Sequence, residues 1–237
     1  MLDTVPVRYS TLLIDLDHTL LDTDASEAAA FDSAMRSAGV DDPAAHLPAY
    51  HQINRTLWAA VERGEIATAD VRTARFEQLV QQVGLAADPL QLADDFVAGL
   101  GNNGELYPGA RAVLEALIAL PGVRLALLTN GLSEVQRVRV NRLELERYFG
   151  AIVISSEIGA AKPAPAIYDA AFAMLGGPAK AGALMVGDSL TSDIQGGRNY
   201  GIATCWYNPQ RRADAAAASL VDYDIATLDA LLAVVQG

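Results

Sequence analysis

Two carboxylates one residue apart, Asp15 and Asp17, follow directly on the apolar run Leu12-Leu13-Ile14, with Thr19 close behind. A run this short and this apolar reads as a strand buried on both faces, so its acids emerge at the carboxyl end. In open α/β sheets that edge is where ligands bind, near the point at which strand order reverses. Taken alone, Asp15 reads equally well as a turn residue. Three other stretches bear on the choice. Leu127-Leu128-Thr129-Asn130-Gly131 ends a second apolar run, with Ser133 and Gln136 at capping-box spacing behind it. Backbone N–H groups at such a helix start attract anions, although Thr-Asn-Gly by itself is a common turn. Lys162 stands just before Pro163-Ala164-Pro165, which set the start of a helix. A lone lysine there is normally solvated. Ala183 to Val186 runs into Gly187-Asp188-Ser189 and on to Asp193, placing two more acids at a strand-to-helix turn.

Four acids, a lysine and a threonine at one sheet edge are the set that magnesium-dependent phosphoryl transfer requires. A hard cation takes oxygen ligands, commonly one or two carboxylates plus the substrate phosphate. A carboxylate can act as nucleophile and form an aspartyl phosphate. Donors and positive charge are needed where the phosphoryl oxygens gather charge.

The elements that must position these residues fall into two groups. From Asp24 to Leu100 the pattern is helical throughout. Asp24 and Glu27 have capping-box spacing before a helix over Ala28 to Ala38, closed by Gly39. Tyr50, Ile53, Leu57 and Val61 share one face of a second helix ending at Gly64. Phe76, Leu79, Val80 and Val83 mark a third, closed by Gly84, and Pro89 opens a fourth that ends near Gly101. Beyond Tyr107-Pro108-Gly109, strands at Val123 to Leu128, Ile152 to Ser155, Ala183 to Val186 and Ala203 to Tyr207 alternate with helices. The expected fold is therefore α/β, a doubly wound, mostly parallel Rossmann-like sheet with an inserted four-helix cap. The core spans residues 1–22 and 105–237, and the cap spans 23–104. The Ala-rich Ala213 to Ser219 run fits either loop or helix.

Composition narrows the partners. Lys+Arg 17 against Asp+Glu 29 gives a formal net charge of -12, which argues against a nucleic-acid polymer or an anionic membrane. The single cysteine, Cys205, excludes an intrachain disulfide framework and reads as a packed small hydrophobe. No apolar segment has transmembrane length and no secretory signal opens the chain, so cytoplasm is the default expectation. No heptad or exposed apolar stripe points to an oligomeric state. His46 and His51 lack partners at metal-ligand spacing and read as surface residues, and His18, next to Asp17, reads as pointing away from the site.

Across its whole length the chain resembles the haloacid dehalogenase-like hydrolases. The likeness lies in Asp15/Asp17/Thr19, Thr129, Lys162 and Asp188/Asp193. The resemblance implies a sheet in which the first strand lies between the second and the fourth. It also implies Asp15 as nucleophile and Asp17 as the acid that protonates the leaving alkoxide and then activates water. Mg2+ would be held by Asp15, the Asp17 carbonyl and Asp188. Thr129, Asn130 and Lys162 would bind the phosphoryl group, with Thr19 and Asp193 in support. Relatives that cleave carbon–halogen bonds lack an acid at the Asp17 position, so Asp17 points to phosphate esters.

Outside the site the chain is similar to bacterial pyrimidine 5′-nucleotidases, through Leu57-Trp58, Gly64-Glu65-Ile66, Arg75-Phe76, Thr129-Asn130-Gly131 and Ala203 to Asn208. The implied substrate is a small phosphorylated metabolite, a nucleoside monophosphate. Sialic acid 9-phosphate phosphatases are similar around Lys162 to Pro165 and the Asp188 loop, and a sugar-phosphate phosphatase or mutase would use the same residues. A receiver-like signalling module, which also gathers acids, a threonine and a lysine, is the alternative from another class. Within the cap, Trp58 and Phe76 are candidates to stack on a base and Asn54 or Arg75 to hydrogen-bond its edge. Aromatics at helical spacing in such a bundle are more often the material of its core.

Overall fold

The computed structural model describes residues 7–214 and 219–237. Residues 215–218, and with them most of the Ala-rich run, lie outside that description. Six parallel strands form one sheet in the order β3-β2-β1-β4-β5-β6. They are β1 (Thr11–Ile14), β2 (Arg124–Thr129), β3 (Ala151–Ile154), β4 (Ala183–Gly187), β5 (Ala203–Tyr207) and β6 (Tyr223–Ile225). The first strand lies between the second and the fourth, as the resemblance implied, and β6 is an edge strand that sequence patterning did not mark. Three residues are too few to set up a recognisable alternation.

Successive side chains of a strand leave on opposite faces, and the apolar runs serve both. Leu12, Ile14, Leu127 and Val186 pack on one side against α5 (Ala110–Ala119), α6 (Ser133–Arg142) and α10 (Ala230–Gln236). Leu13, Leu128 and Met185 pack on the other side against α8 (Pro165–Met174) and α9 (Gln195–Tyr200). A short helix, α7 (Ser155–Ile158), follows β3, and a single π-helical turn, Leu190–Ile194, precedes α9. Register levels the strand ends: Ile14 pairs with Leu127 on one side and Val186 on the other. Asp15, the Thr129 loop and the Asp188 loop therefore open at one height.

Between β1 and β2 stand α1 (Thr23–Ser37), α2 (Leu47–Glu62), α3 (Val71–Val83) and α4 (Pro89–Asn102). They enclose a separate apolar cluster containing Phe31, Tyr50, Phe76, Leu79 and Phe96, which Leu132 and Val135 extend from the sheet side. The start of α1 corrects the expected capping box. Asp22, not Asp24, accepts the capping bond, from the Ala25 N–H at 3.2 Å, so the helix begins earlier and Glu27 lies free of capping duty. Ser133 and Gln136 are a second correction: Ser133 is already the first residue of α6, and its hydroxyl donates to Glu157 at 2.5 Å. Gln136 reaches into the site instead.

Where the insert joins the sheet, α6 grips both of its ends. Arg139, 2 % exposed, donates to the Leu100 carbonyl at 3.0 Å and to the Ser26 hydroxyl at 3.1 Å. Arg142 donates to the carbonyls of Asn103 and Gly104.

Candidate active site

Asp15 is 5 % exposed, and the buried Lys162 ammonium donates to its Oδ1 at 2.5 Å and to Asp193 Oδ1 at 2.7 Å. The lysine is 1 % exposed, the opposite of the solvated residue that its isolation in sequence allows. Its placement is local in origin. The Asn130 side chain clasps the lysine backbone from both sides, accepting from the Lys162 N–H at 2.8 Å and donating to its carbonyl at 2.9 Å. Asn130 was expected to bind phosphate. Its amide also holds Lys162, spending one of its two N–H donors there, and Asn130 still lines the cavity over the site.

Thr19 links the first strand to the fourth: its hydroxyl donates to Asp15 Oδ2 at 3.2 Å and accepts from the Asp188 N–H at 3.1 Å. Trp206 Nε1 donates to the Asp188 carbonyl at 2.8 Å and holds that loop from β5. Asp193 Oδ2 accepts from the Ser189 N–H at 3.0 Å. This approach requires glycine at 187, where a Cβ would collide with the Asp193 carboxylate. Gly187→Ala is accordingly expected to push Asp193 off Lys162 and lower kcat by about 10²-fold, the cost of misplacing a positioned group by roughly 1 Å. Steady-state kinetics of a folded variant check this.

Three oxygens, one each from Asp15, Asp188 and Asp193, lie within 4.8 Å of one another. Burial pushes Asp15 up to about 7 against the pull of Lys162, with Asp193 and Asp17 adding to the rise. Burial likewise pushes Asp188 and Asp193 up to about 6 each. For Lys162, burial disfavours the charge, but Asp15 and Asp193 outweigh it and raise the ammonium far above its ordinary value. One cation among three crowded carboxylates leaves the pocket short of positive charge. An all-oxygen donor set of this kind fits a hard divalent cation.

Asp17 has the opposite character. Arg139 donates to its Oδ1 at 2.7 Å, Thr23 to Oδ1 at 2.8 Å and Gln136 Nε2 to Oδ2 at 2.6 Å. Burial would raise this carboxyl, yet Arg139, the Gln136 amide, His18 and Thr23 together hold it below the usual carboxylate range. The Thr129 hydroxyl, fully buried, accepts from Gln136 at 2.8 Å and contacts Asp17 at 3.4 Å. From sequence Gln136 reads only as part of a capping box, and Arg139 carries no signal of its own. Their spacing on α6 was legible, but their target lies in the loop after β1, 119 and 122 residues away.

A cavity of about 1080 Å³ lies over this set, floored by the acids and walled by the helical insert. Asn54, Trp58 and Arg75 line it. Phe76 does not: fully buried, it packs against Tyr50 and Phe96 and offers no face to a ligand. Arg75 is 2 % exposed, donates to the Val71 carbonyl and Tyr50 hydroxyl, and lies 5.2 Å over the Phe96 ring. His18 faces the cavity, contrary to expectation, because its backbone takes the left-handed conformation (φ 59) where the chain turns back toward Leu21. His51 also lines the cavity.

Residues 9–201 match the family model of the haloacid dehalogenase-like hydrolases. The chain is 37% identical over 201 residues to the pyrimidine 5′-nucleotidase PynA of Streptococcus pneumoniae, covering 85% of this chain and 84% of that protein. It is 32% identical over 206 residues to the pyrimidine 5′-nucleotidase YjjG of Escherichia coli, covering 87% and 89%. Among solved structures, the magnesium-bound form of YfnB from Bacillus subtilis superposes with a TM-score of 0.86 at 31% identity, over 96% of this chain and 98% of that one. No helix among the described residues is long and apolar enough to cross a membrane. With the acid-and-lysine site at the carboxyl edge of its sheet and a family match over most of its length, this chain belongs to the haloacid dehalogenase-like hydrolases.

Proposed function

We propose that this hydrolase cleaves the phosphate ester of a pyrimidine nucleoside 5′-monophosphate through a phosphorylated Asp15. The observation that carries the reading is the pairing of a nucleophile held by Lys162 at 2.5 Å with a second acid, Asp17, facing the same cavity. The nucleoside part rests on the likeness to PynA and YjjG, both pyrimidine 5′-nucleotidases.

In the first half, an Asp15 oxygen attacks phosphorus, the bond to the ester oxygen breaks, and the leaving alkoxide takes a proton from Asp17. Asp17 stands ionised beside Arg139. A phosphate dianion brought alongside favours its protonated form, because like charge raises a carboxyl pKa. In the second half, Asp17 takes a proton from water, the water oxygen attacks the acyl phosphate, and inorganic phosphate leaves Asp15 free. Lys162 holds Asp15 in line and offsets charge on the phosphoryl oxygens. Asp15 and Asp188, with Asp193 beside them, would hold magnesium, which supplies charge neutralisation for the transferring phosphoryl group. The helical insert, acting as a cap, would select the leaving group and exclude bulk water.

Phosphate release from nucleoside monophosphates, sugar phosphates and sialic acid 9-phosphate, with magnesium and with chelator, tests the reading. The expected result is turnover that prefers pyrimidine monophosphates and falls at least about 10²-fold on chelation. Turnover confined to sugar phosphates would retain the chemistry and discard the nucleotide; a long-lived phosphorylated Asp15 without turnover would replace the hydrolase with a phospho-acceptor.

A further inference from the structure

One wall of the cavity carries polar groups that the chemistry at Asp15 does not use. Asn54, 8 % exposed, lines the cavity, and its Oδ1 is buried without a hydrogen-bond partner. Its amide orientation is set by Glu27, whose Oε1 accepts from Asn54 Nδ2 at 2.9 Å. Turning the amide over would bring two oxygens together, so the unpartnered atom is the carbonyl oxygen. The same Glu27 oxygen accepts from the Tyr50 hydroxyl at 3.3 Å, and Tyr50 in turn accepts from Arg75. Glu27 Oε2 makes no hydrogen bond among the described residues, and Glu27 also lines the cavity. A buried acceptor left open costs stability unless something fills it. Here Asn54 Oδ1 is such an acceptor, and the half-buried Glu27 carboxylate lies beside it, held by a tyrosine and an arginine that belong to the insert's own core.

Open acceptors demand a ligand that donates. The half-buried indole of Trp58 lines the same cavity and suits a planar ring. Resting on the nucleotide reading above, we propose that Glu27 and Asn54 form the subsite that recognises an N–H donor on the base edge of the leaving nucleoside. That donor is the ring N3–H of a uracil-type base or the exocyclic amine of cytosine. A base with neither leaves both acceptors unpaired, and it is this penalty, more than the attraction, that discriminates. Glu27 escaped the sequence reading because its capping-box spacing gave it a local explanation, which Asp22 takes over in the structure.

The test compares kcat/KM for uridine, cytidine and N3-methyluridine 5′-monophosphates, each divided by the same enzyme's value for ribose 5-phosphate. Wild type is expected to favour uridine or cytidine monophosphate over the N3-methyl analogue by about 10- to 100-fold, the range for a hydrogen bond to a charged group. Which of the two is favoured identifies the donor. Glu27→Gln, isosteric and uncharged, and Asn54→Ala should each shrink that ratio by about 10-fold or more. Because each enzyme is its own reference, a loss of folded protein does not mimic the effect. Equal rates on all three nucleotides in wild type, or an unchanged ratio in both variants, would overturn the subsite while leaving the nucleotidase intact. Absence of any nucleotide turnover in wild type would instead overturn the reading on which it rests.

Discussion

Asp15→Asn is expected to lower phosphate release by at least about 10³-fold, the scale on which loss of a nucleophile acts, while leaving the protein folded. The amide has no carboxylate oxygen to attack phosphorus, but it fills the same volume between Lys162 and Thr19. Stability should hold or rise in metal-free protein. Burial pushes Asp15 up to about 7, above its unfolded value, so ionising it in the folded state costs free energy at pH 8 and a neutral side chain removes that cost. Lys162 keeps Asp193 as a partner. Phosphate release alongside thermal unfolding measures both parts. Activity close to wild type would remove Asp15 from the nucleophile's position; a large loss of stability would mean that the ionised carboxylate supports the fold.

Lys162→Met is expected to damage the fold as well as the chemistry. The methionine keeps much of the length of the side chain but leaves Asp15 and Asp193 buried without a cation between them. Breaking a buried ion pair by removing one partner costs about 3–5 kcal/mol, and that cost applies where the carboxylates are ionised. With Asp15 up to about 7 and Asp193 up to about 6, lowering the pH protonates them and reduces what the lysine is needed to offset. The gap between wild type and variant should therefore be widest at pH 8 and shrink toward pH 5. Magnesium, drawn to the same oxygens, should narrow it at pH 8. Urea denaturation at both pH values, with and without magnesium, reads the effect. A gap independent of pH would mean that methionine packing, not the unpaired carboxylates, causes the loss.

Much of this molecule is readable locally. An apolar run such as Leu12-Leu13-Ile14 has few solutions other than a buried parallel strand, and parallel strands deliver the residues after them to one edge of the sheet. Asp15, Thr129 and Asp188 each stand at the end of such a run, so their convergence at one edge was legible from the chain alone. The insert's four helices were legible for a similar reason, since glycines at 39, 64 and 84 take left-handed conformations where helices end.

Pairing across the chain is a different matter. Asp22 and Asp24 both stand where an N-cap can form, and only the path of the chain out of β1 selects Asp22. Asn130 reads from sequence as a turn residue beside a phosphate site, and only the fold brings Lys162, 32 residues away, onto its amide. Helical spacing gives Trp58 and Phe76 the same standing, whereas the rotation of α2 and α3 about their axes turns one to the cavity and the other into the Tyr50–Phe96 cluster. Local patterning thus sufficed for β1 to β5, the insert and the acids at the sheet's carboxyl edge, though not for the three-residue β6. Packing of distant elements was needed to bring Arg139 and Gln136 onto Asp17, and to turn Glu27 and Asn54 toward the cavity with acceptors open. Such contacts depend on how packed elements are rotated and on which distant groups they meet, and neither is encoded in a local period.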